Sequence, residues 1–334
     1  MYAIETKSLS KIYNSGLKAI DKVSIKVEEG EIFGFLGPNG AGKSTTIMIL
    51  TTLLKQTSGS AYVSGYNVAS QAKKVRQNIG YVQQEITADE YLSARENLQL
   101  QARLYHMPKE LMQKRIDEVL DLVELSDRQN DAVITYSGGM RKRLDIAGGL
   151  LHRPKVLFLD EPTLGLDIQT RFKIWDYIKK IHQEFGMSIF LTTHYMEEAD
   201  KLCETISIVD YGKIKVTNSP ISLKQALGNE TVVFSVDADS KKEELLSRIR
   251  KIDLVSDITI NGKDVTVFSS KGSMVIPLIF EISSNLEVQI NSISHSQPTL
   301  DDVFLSHTGR DLRDEPIGHF DRGKKHEKMR WLRS

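Results

Sequence analysis

Residues 37–45, Gly37, Pro38, Asn39, Gly40, Ala41, Gly42, Lys43, Ser44 and Thr45, constrain this chain more than any other stretch. They follow the apolar run 32–36 and precede another, 47–50, so the local order reads strand, glycine loop, helix. The spacing is G-x-x-x-x-G-K-[ST]. Glycines let the backbone curl until successive N–H groups point inward at phosphate oxygens. A helix starting at Lys43 turns its positive dipole end toward the same anion. Lys43 adds a point charge for the terminal phosphates, and the Ser44 hydroxyl can ligate Mg²⁺. The plain alternative is a glycine-rich turn, and the strand before and helix after weigh against it.

The 334 residues suffice for about two domains. Formal net charge is zero, which removes any global field favouring nucleic acid. No apolar run approaches the ~20 residues of a membrane span. The N-terminus lacks the apolar core of a secretory signal, and a cytoplasmic protein is expected. Cys203 is the only cysteine, so neither an internal disulfide nor a cysteine metal site is available.

Residues 1–36 read as short strands, with Tyr13 able to stack on an adenine ring or to serve as an ordinary strand aromatic. Strand 79–82 ends at Gln83 and Gln84, and a glutamine there can reach a metal or water through its side-chain carbonyl. Residues 89–125 carry helical periodicity, with Pro108 opening a second helix. Ser137 is a good N-cap, and Gly138 and Gly139 leave the backbone bare before a basic helix. One chain needs one γ-phosphate cradle, so this second anion-binding helix start suggests a grip on a neighbouring subunit's phosphate. Residues 155–160 read as a strand whose run from Val156 to Leu159 is continuously apolar, as in a parallel sheet covered on both faces. It ends at Asp160 and Glu161. Asp160 can hold Mg²⁺ through water, and Glu161 can activate the attacking water as general base. Asp167 closes a turn before a helix over 168–185. Strand 187–193 ends at His194, which points at the same crevice and is expected to contact the γ-phosphate.

This ordered set resembles the ATP-binding cassette (ABC) transporter ATPases over residues 2–220. The resemblance implies a P-loop α/β core with an antiparallel β subdomain and a helical insert over about 85–150. It implies that Tyr13 stacks on adenine and that Gln84 senses Mg²⁺ and water. Ser137, Gly138 and Gly139 of one subunit would close on ATP held by residues 37–45 of another, with Asp167 communicating between the sites. The family's common signature has Leu and Gln where this chain has Tyr136 and Met140. Those two residues, with 194–200 and 298–310, are similar to the separate-chain ATPases of ABC-2 type exporters, including the daunorubicin-resistance group. Cofactors implied are ATP and Mg²⁺. Implied partners are a separate transmembrane permease and a second ATPase, identical or related, with no nucleic acid. The protein would sit peripherally on the inner face of the cell membrane.

Residues 221–310 read as βαββαβ, a ferredoxin-like α+β accessory domain with no catalytic constellation. Residues 311–334 are rich in cations, with Trp331 among them, and read as a disordered tail or as a contact for an anionic leaflet. Two rival functions are a soluble ABC ATPase acting on ribosomes or DNA, and a non-hydrolysing regulatory subunit. The first lacks a second cassette or sustained heptads here. The second conflicts with intact Lys43, Asp160, Glu161 and His194.

Overall fold

A computed structural model describes residues 1–227, 230–236, 241–261 and 263–308. In chain order the first elements are β1 (Tyr2–Ile12), β2 (Lys18–Val23), β3 (Lys26–Glu28), β4 (Ile32–Leu36), α1 (Lys43–Leu50), β5 (Ser58–Val63), β6 (Tyr66–Asn67), α2 (Ala72–Asn78) and β7 (Ile79–Val82). Then come α3 (Ala94–Leu104), α4 (Lys109–Leu122), α5 (Gly138–Leu150), β8 (Val156–Asp160), α6 (Ile168–Phe185), β9 (Ser188–Thr193), α7 (Met196–Leu202), β10 (Thr205–Asp210) and β11 (Lys213–Asn218). The last are α8 (Pro220–Leu227), β12 (Glu230–Val236), α9 (Lys242–Ile249), β13 (Val255–Asn261), β14 (Asp264–Ser269), α10 (Gly272–Asn285), β15 (Ile290–Ser296) and α11 (Leu300–Thr308).

The central sheet has the order β11-β10-β4-β9-β8-β7. Strands β4, β8 and β9 are buried at every residue, which is why they read as unbroken apolar runs. Their side chains still alternate between faces. Phe33, Phe35 and Phe158 surround Phe190 on one face, with centroids 5.5–5.7 Å apart. Ile32, Leu36, Leu157, Leu159, Ile189 and Leu191 face the other, where α5 and α6 pack.

The expected short strands in 1–36 include one long strand instead. β1 runs 11 residues and pairs with β2, β3 and β5. Register shifts interrupt it between Lys7 and Ser10 and again between Leu9 and Lys11. Each shift breaks the period-2 alternation, so one bent strand reads as fragments. With β6 these strands form the antiparallel subdomain.

The helical insert holds α3, α4 and α5. A capping box between Ser93 and Glu96 starts α3, and Pro108 is the N-cap of α4. The accessory sheet β13-β14-β12-β15 is antiparallel throughout, and α9 and α10 cover one face. That is the ferredoxin-like βαββαβ arrangement.

Packing draws the boundary between the two units differently from the expected cut at 220/221. Leu223 of α8 and Leu300, Val303 and Phe304 of α11 are buried in the core of the nucleotide unit, so the chain leaves and returns through that core. The independent accessory core is built by β12–β15, α9 and α10. The expected tail, 311–334, lies outside the described residues. Among the described residues no helix is long and apolar enough to cross a membrane.

Candidate active site

Parallel register brings the chemistry to one edge. Leu36 lies beside Thr193, Asp160 beside Thr192, and Val82 beside Leu159. The loops after β4, β7, β8 and β9 therefore leave the sheet together, at the carboxyl end where open α/β sheets bind ligands.

α1 begins at Lys43, with Gly42 before it at φ +101°. That left-handed conformation and the approach of the Ala19 carbonyl leave no room for a Cβ there. Gly37 is likewise pressed against the Val209 carbonyl. Lys43 Nζ donates to the Gly37 carbonyl at 2.7 Å and the Pro38 carbonyl at 3.1 Å. It also pairs with Glu161 Oε1 at 3.1 Å, and both side chains are buried. His194 Nδ1 lies 3.1 Å from the other oxygen, Glu161 Oε2. One carboxylate is thus held between a lysine and a histidine.

Glu161 adopts φ +46°, a strained conformation for a non-glycine residue, and its N–H donates to the Thr192 carbonyl at 3.1 Å. Burial pushes its carboxyl up, but the His194 hydrogen bond and the Lys43 charge outweigh burial and hold it below the usual range. Its neighbour Asp160 behaves oppositely. Burial is the largest influence there and raises it, despite hydrogen bonds from Thr192 Oγ1 at 2.5 Å and Ser44 Oγ at 3.5 Å.

A cavity of about 300 Å³ lies over the loop. Asn39, Gly40, Gly42, Lys43, Ser44 and Thr45 floor it, and Gln84 and Glu161 close one side. Tyr13 lines it too, with its hydroxyl 3.3 Å from Thr45 Oγ1. Leu17, Lys18, Ala19 and Tyr211 complete the lining, none of them singled out from sequence.

Ser137, Gly138, Gly139 and Asp167 do not join that cavity. Ser137 caps α5 by accepting from the Met140 N–H at 3.3 Å. Gly138 faces Leu166, and a Cβ on Gly139 would run into the Thr170 side chain. Asp167 caps α6, accepting from the Thr170 N–H at 2.9 Å and the Thr170 hydroxyl at 2.6 Å. Two helix starts are therefore packed against each other, apart from the phosphate loop of the same chain.

Sequence reasoning missed three polar residues. Thr192 anchors both Asp160 and the Glu161 backbone. Lys142 and Asp145 of α5 grip the Gln84 loop. The available signal was polarity where the pattern required burial: a threonine in an all-buried strand, and two charges on the inward face of a helix.

The donors for a cation fit Mg²⁺. Ser44 and Asp160 are in contact, and Gln84 borders the same cavity. All three offer oxygen. Among the described residues no group of three or more His, Cys, Asp or Glu is placed to cage a metal. One carboxylate, one hydroxyl and phosphate oxygens are a donor set that Mg²⁺ accepts.

The ABC transporter family profile matches residues 20–164. The linearmycin resistance ATP-binding protein LnrL of Bacillus subtilis is 36% identical over 93% of this chain and 100% of its own length. The daunorubicin/doxorubicin resistance ATP-binding protein DrrA of Streptomyces peucetius is 37% identical over 93% of this chain and 94% of its own. Among solved structures, the ATP-binding cassette MJ0796, dimeric in a post-hydrolysis state with ADP and Pi, superposes with a TM-score of 0.58. It is 30% identical and covers 65% of this chain and 98% of that one.

Proposed function

Because the chain belongs to the ABC transporter family, as an ATP-hydrolysing subunit of the drug-resistance exporter type, we propose that it closes with a second copy or a related chain over two molecules of Mg·ATP. The observation that carries this reading is the line Lys43–Glu161–His194 beside the phosphate loop. Residues 37–45 wrap the phosphates with backbone N–H groups, and Tyr13 stacks on the adenine. Ser44, Asp160 and Gln84 would hold Mg²⁺, which would neutralise phosphate charge when bound. An incoming γ-phosphate competes with Glu161 for the Lys43 ammonium. Once released from Lys43, Glu161 takes the proton of the attacking water. His194 stays bonded to Glu161 and orients it, and its ring steadies the γ-phosphate. Ser137 and Gly139 of the partner subunit cover the other side of the nucleotide, with Asp167 beside them linking the two sites.

A separate membrane permease receives the motion through the helical insert and the Gln84 loop, and the ATPase docks on its cytoplasmic side. The relatives are named for resistance to linearmycin and to daunorubicin and doxorubicin, which favours export of drug-like or lipid-like apolar compounds. Co-purification with a membrane protein supports this reading; co-purification with ribosomes or DNA would replace it. The chemistry is tested with Glu161→Gln in the full chain. Phosphate release should stop, and gel filtration with ATP should show a dimer. Wild-type phosphate release by this variant would remove Glu161 as the base.

A further inference from the structure

Helix α5 carries two buried charges that the nucleotide cavity does not use. Lys142 and Asp145 sit three residues apart, so both point to one side of the helix. Each is nearly sealed from solvent, 4% and 8% exposed. Lys142 Nζ donates to the Gln83 carbonyl at 2.6 Å and the Gln84 carbonyl at 3.3 Å. Asp145 Oδ1 accepts from the Thr87 hydroxyl at 3.0 Å, and from the Thr87 and Ala88 N–H groups at 3.3 and 3.2 Å. One helix therefore holds the start and the middle of the segment between β7 and α3, whose second residue lines the cavity.

An apolar pair would pack this helix at less desolvation cost. The loop itself is exposed from Gln83 to Thr87, where water could serve its backbone groups instead. Two buried charges aimed at an exposed loop specify one placement of it. The same helix starts at Ser137, little more than one turn before Lys142, where the partner's nucleotide is proposed to dock. We propose that Lys142 and Asp145 are positioning residues that tie the Gln84 loop to α5, so that engagement of the Ser137 helix start is transmitted to Gln84 in the chain's own cavity. This rests on the role given to Gln84 above.

The test uses the full chain with Lys142→Met, Asp145→Leu and Thr87→Val, each also combined with Gln84→Ala. Lys142→Met should lower kcat about 10-fold while KM for ATP stays within about 2-fold, a loss confined to the transition state. Hydrogen–deuterium exchange should rise at Thr87 and Ala88 in Asp145→Leu. On a Gln84→Ala background, Lys142→Met should add nothing further, because both act through one group. Asp145→Asn keeps an acceptor for Thr87 and Ala88 and should retain kcat within about 2-fold. Multiplicative losses in the double variants, or unchanged exchange at Thr87 and Ala88, would overturn the tie. If Lys142→Met does not fold, Thr87→Val gives the same comparison through a neutral residue. Wild-type kcat in Gln84→Ala would instead take down the role of Gln84 itself, a result separable from failure of the tie.

Discussion

Two glycine-rich helix starts in this chain look alike in sequence and differ in structure. At the first, Gly40 and Gly42 take positive φ, and backbone carbonyls converge on a buried lysine. At the second, Gly138 and Gly139 are already helical, and the Ser137 hydroxyl caps the turn. The first glycines are needed for conformation. Gly139 is needed for contact, because a Cβ there would strike Thr170. The first start stands beside Asp160 and Glu161, and the second beside another capped helix. In the proposed pair each chain's first start would face its partner's second, so neither start would be complete alone.

The comparison breaks most sharply at the first start. Glu161→Gln should lower kcat by about 10²–10⁴, the range of general-base catalysis, measured as phosphate release. Lys43→Met should abolish binding of a fluorescent ATP analogue. It also leaves buried Glu161 with His194 as its one remaining charge-stabilising partner, a loss of up to about 3–5 kcal/mol that should be visible in urea unfolding.

At the second start, Gly139→Ala should destabilise the fold by about 1–3 kcal/mol through overpacking against Thr170. Adding Thr170→Ser removes the methyl in the way and should restore the melting temperature. If activity returns as fully, Gly139 serves packing alone; if it stays low, the glycine also touches nucleotide.

A smaller effect is expected in the pH dependence. Glu161 is held below its usual range, so it stays ionised as a base further into acid than an ordinary glutamate. Its stabilising contribution is present above the unfolded-state pKa and is lost as pH falls through the lower folded value. His194→Ala removes the strongest group holding it down. The acid limb of the normalised pH–rate profile should therefore move upward, measured between about pH 4 and 8. An unmoved limb would show that His194 does not act through Glu161.

The smallest effect is at Tyr13. Tyr13→Ala should raise KM for ATP about 3- to 10-fold, the size of one aromatic contact. Tyr13→Phe should change it little, since the Thr45 hydrogen bond is long.

Much of this was legible because it is local. The phosphate loop, the Asp160–Glu161 strand end and the α6 start each lie within a few residues, where turn and capping chemistry act. β1 was not legible, because its bulges break the alternation that reveals a strand. Nor was the return of α11: Leu300, Val303 and Phe304 carry an ordinary amphipathic pattern that does not say which core it fills. The cavity residues Leu17 and Tyr211 belong to no motif and are brought there by hairpins.

By itself, then, the sequence determined the elements, the cradle and the kinds of group available, since backbone propensity and side-chain periodicity operate over a turn or two. Only the tertiary structure decided which groups meet. Sheet order set β4 beside β9 and β9 beside β8. That order places Lys43 against Glu161 and Glu161 against His194, and it lets Lys142 reach the Gln84 loop. Such pairings join residues far apart along the chain, and they are fixed by which apolar faces are buried together.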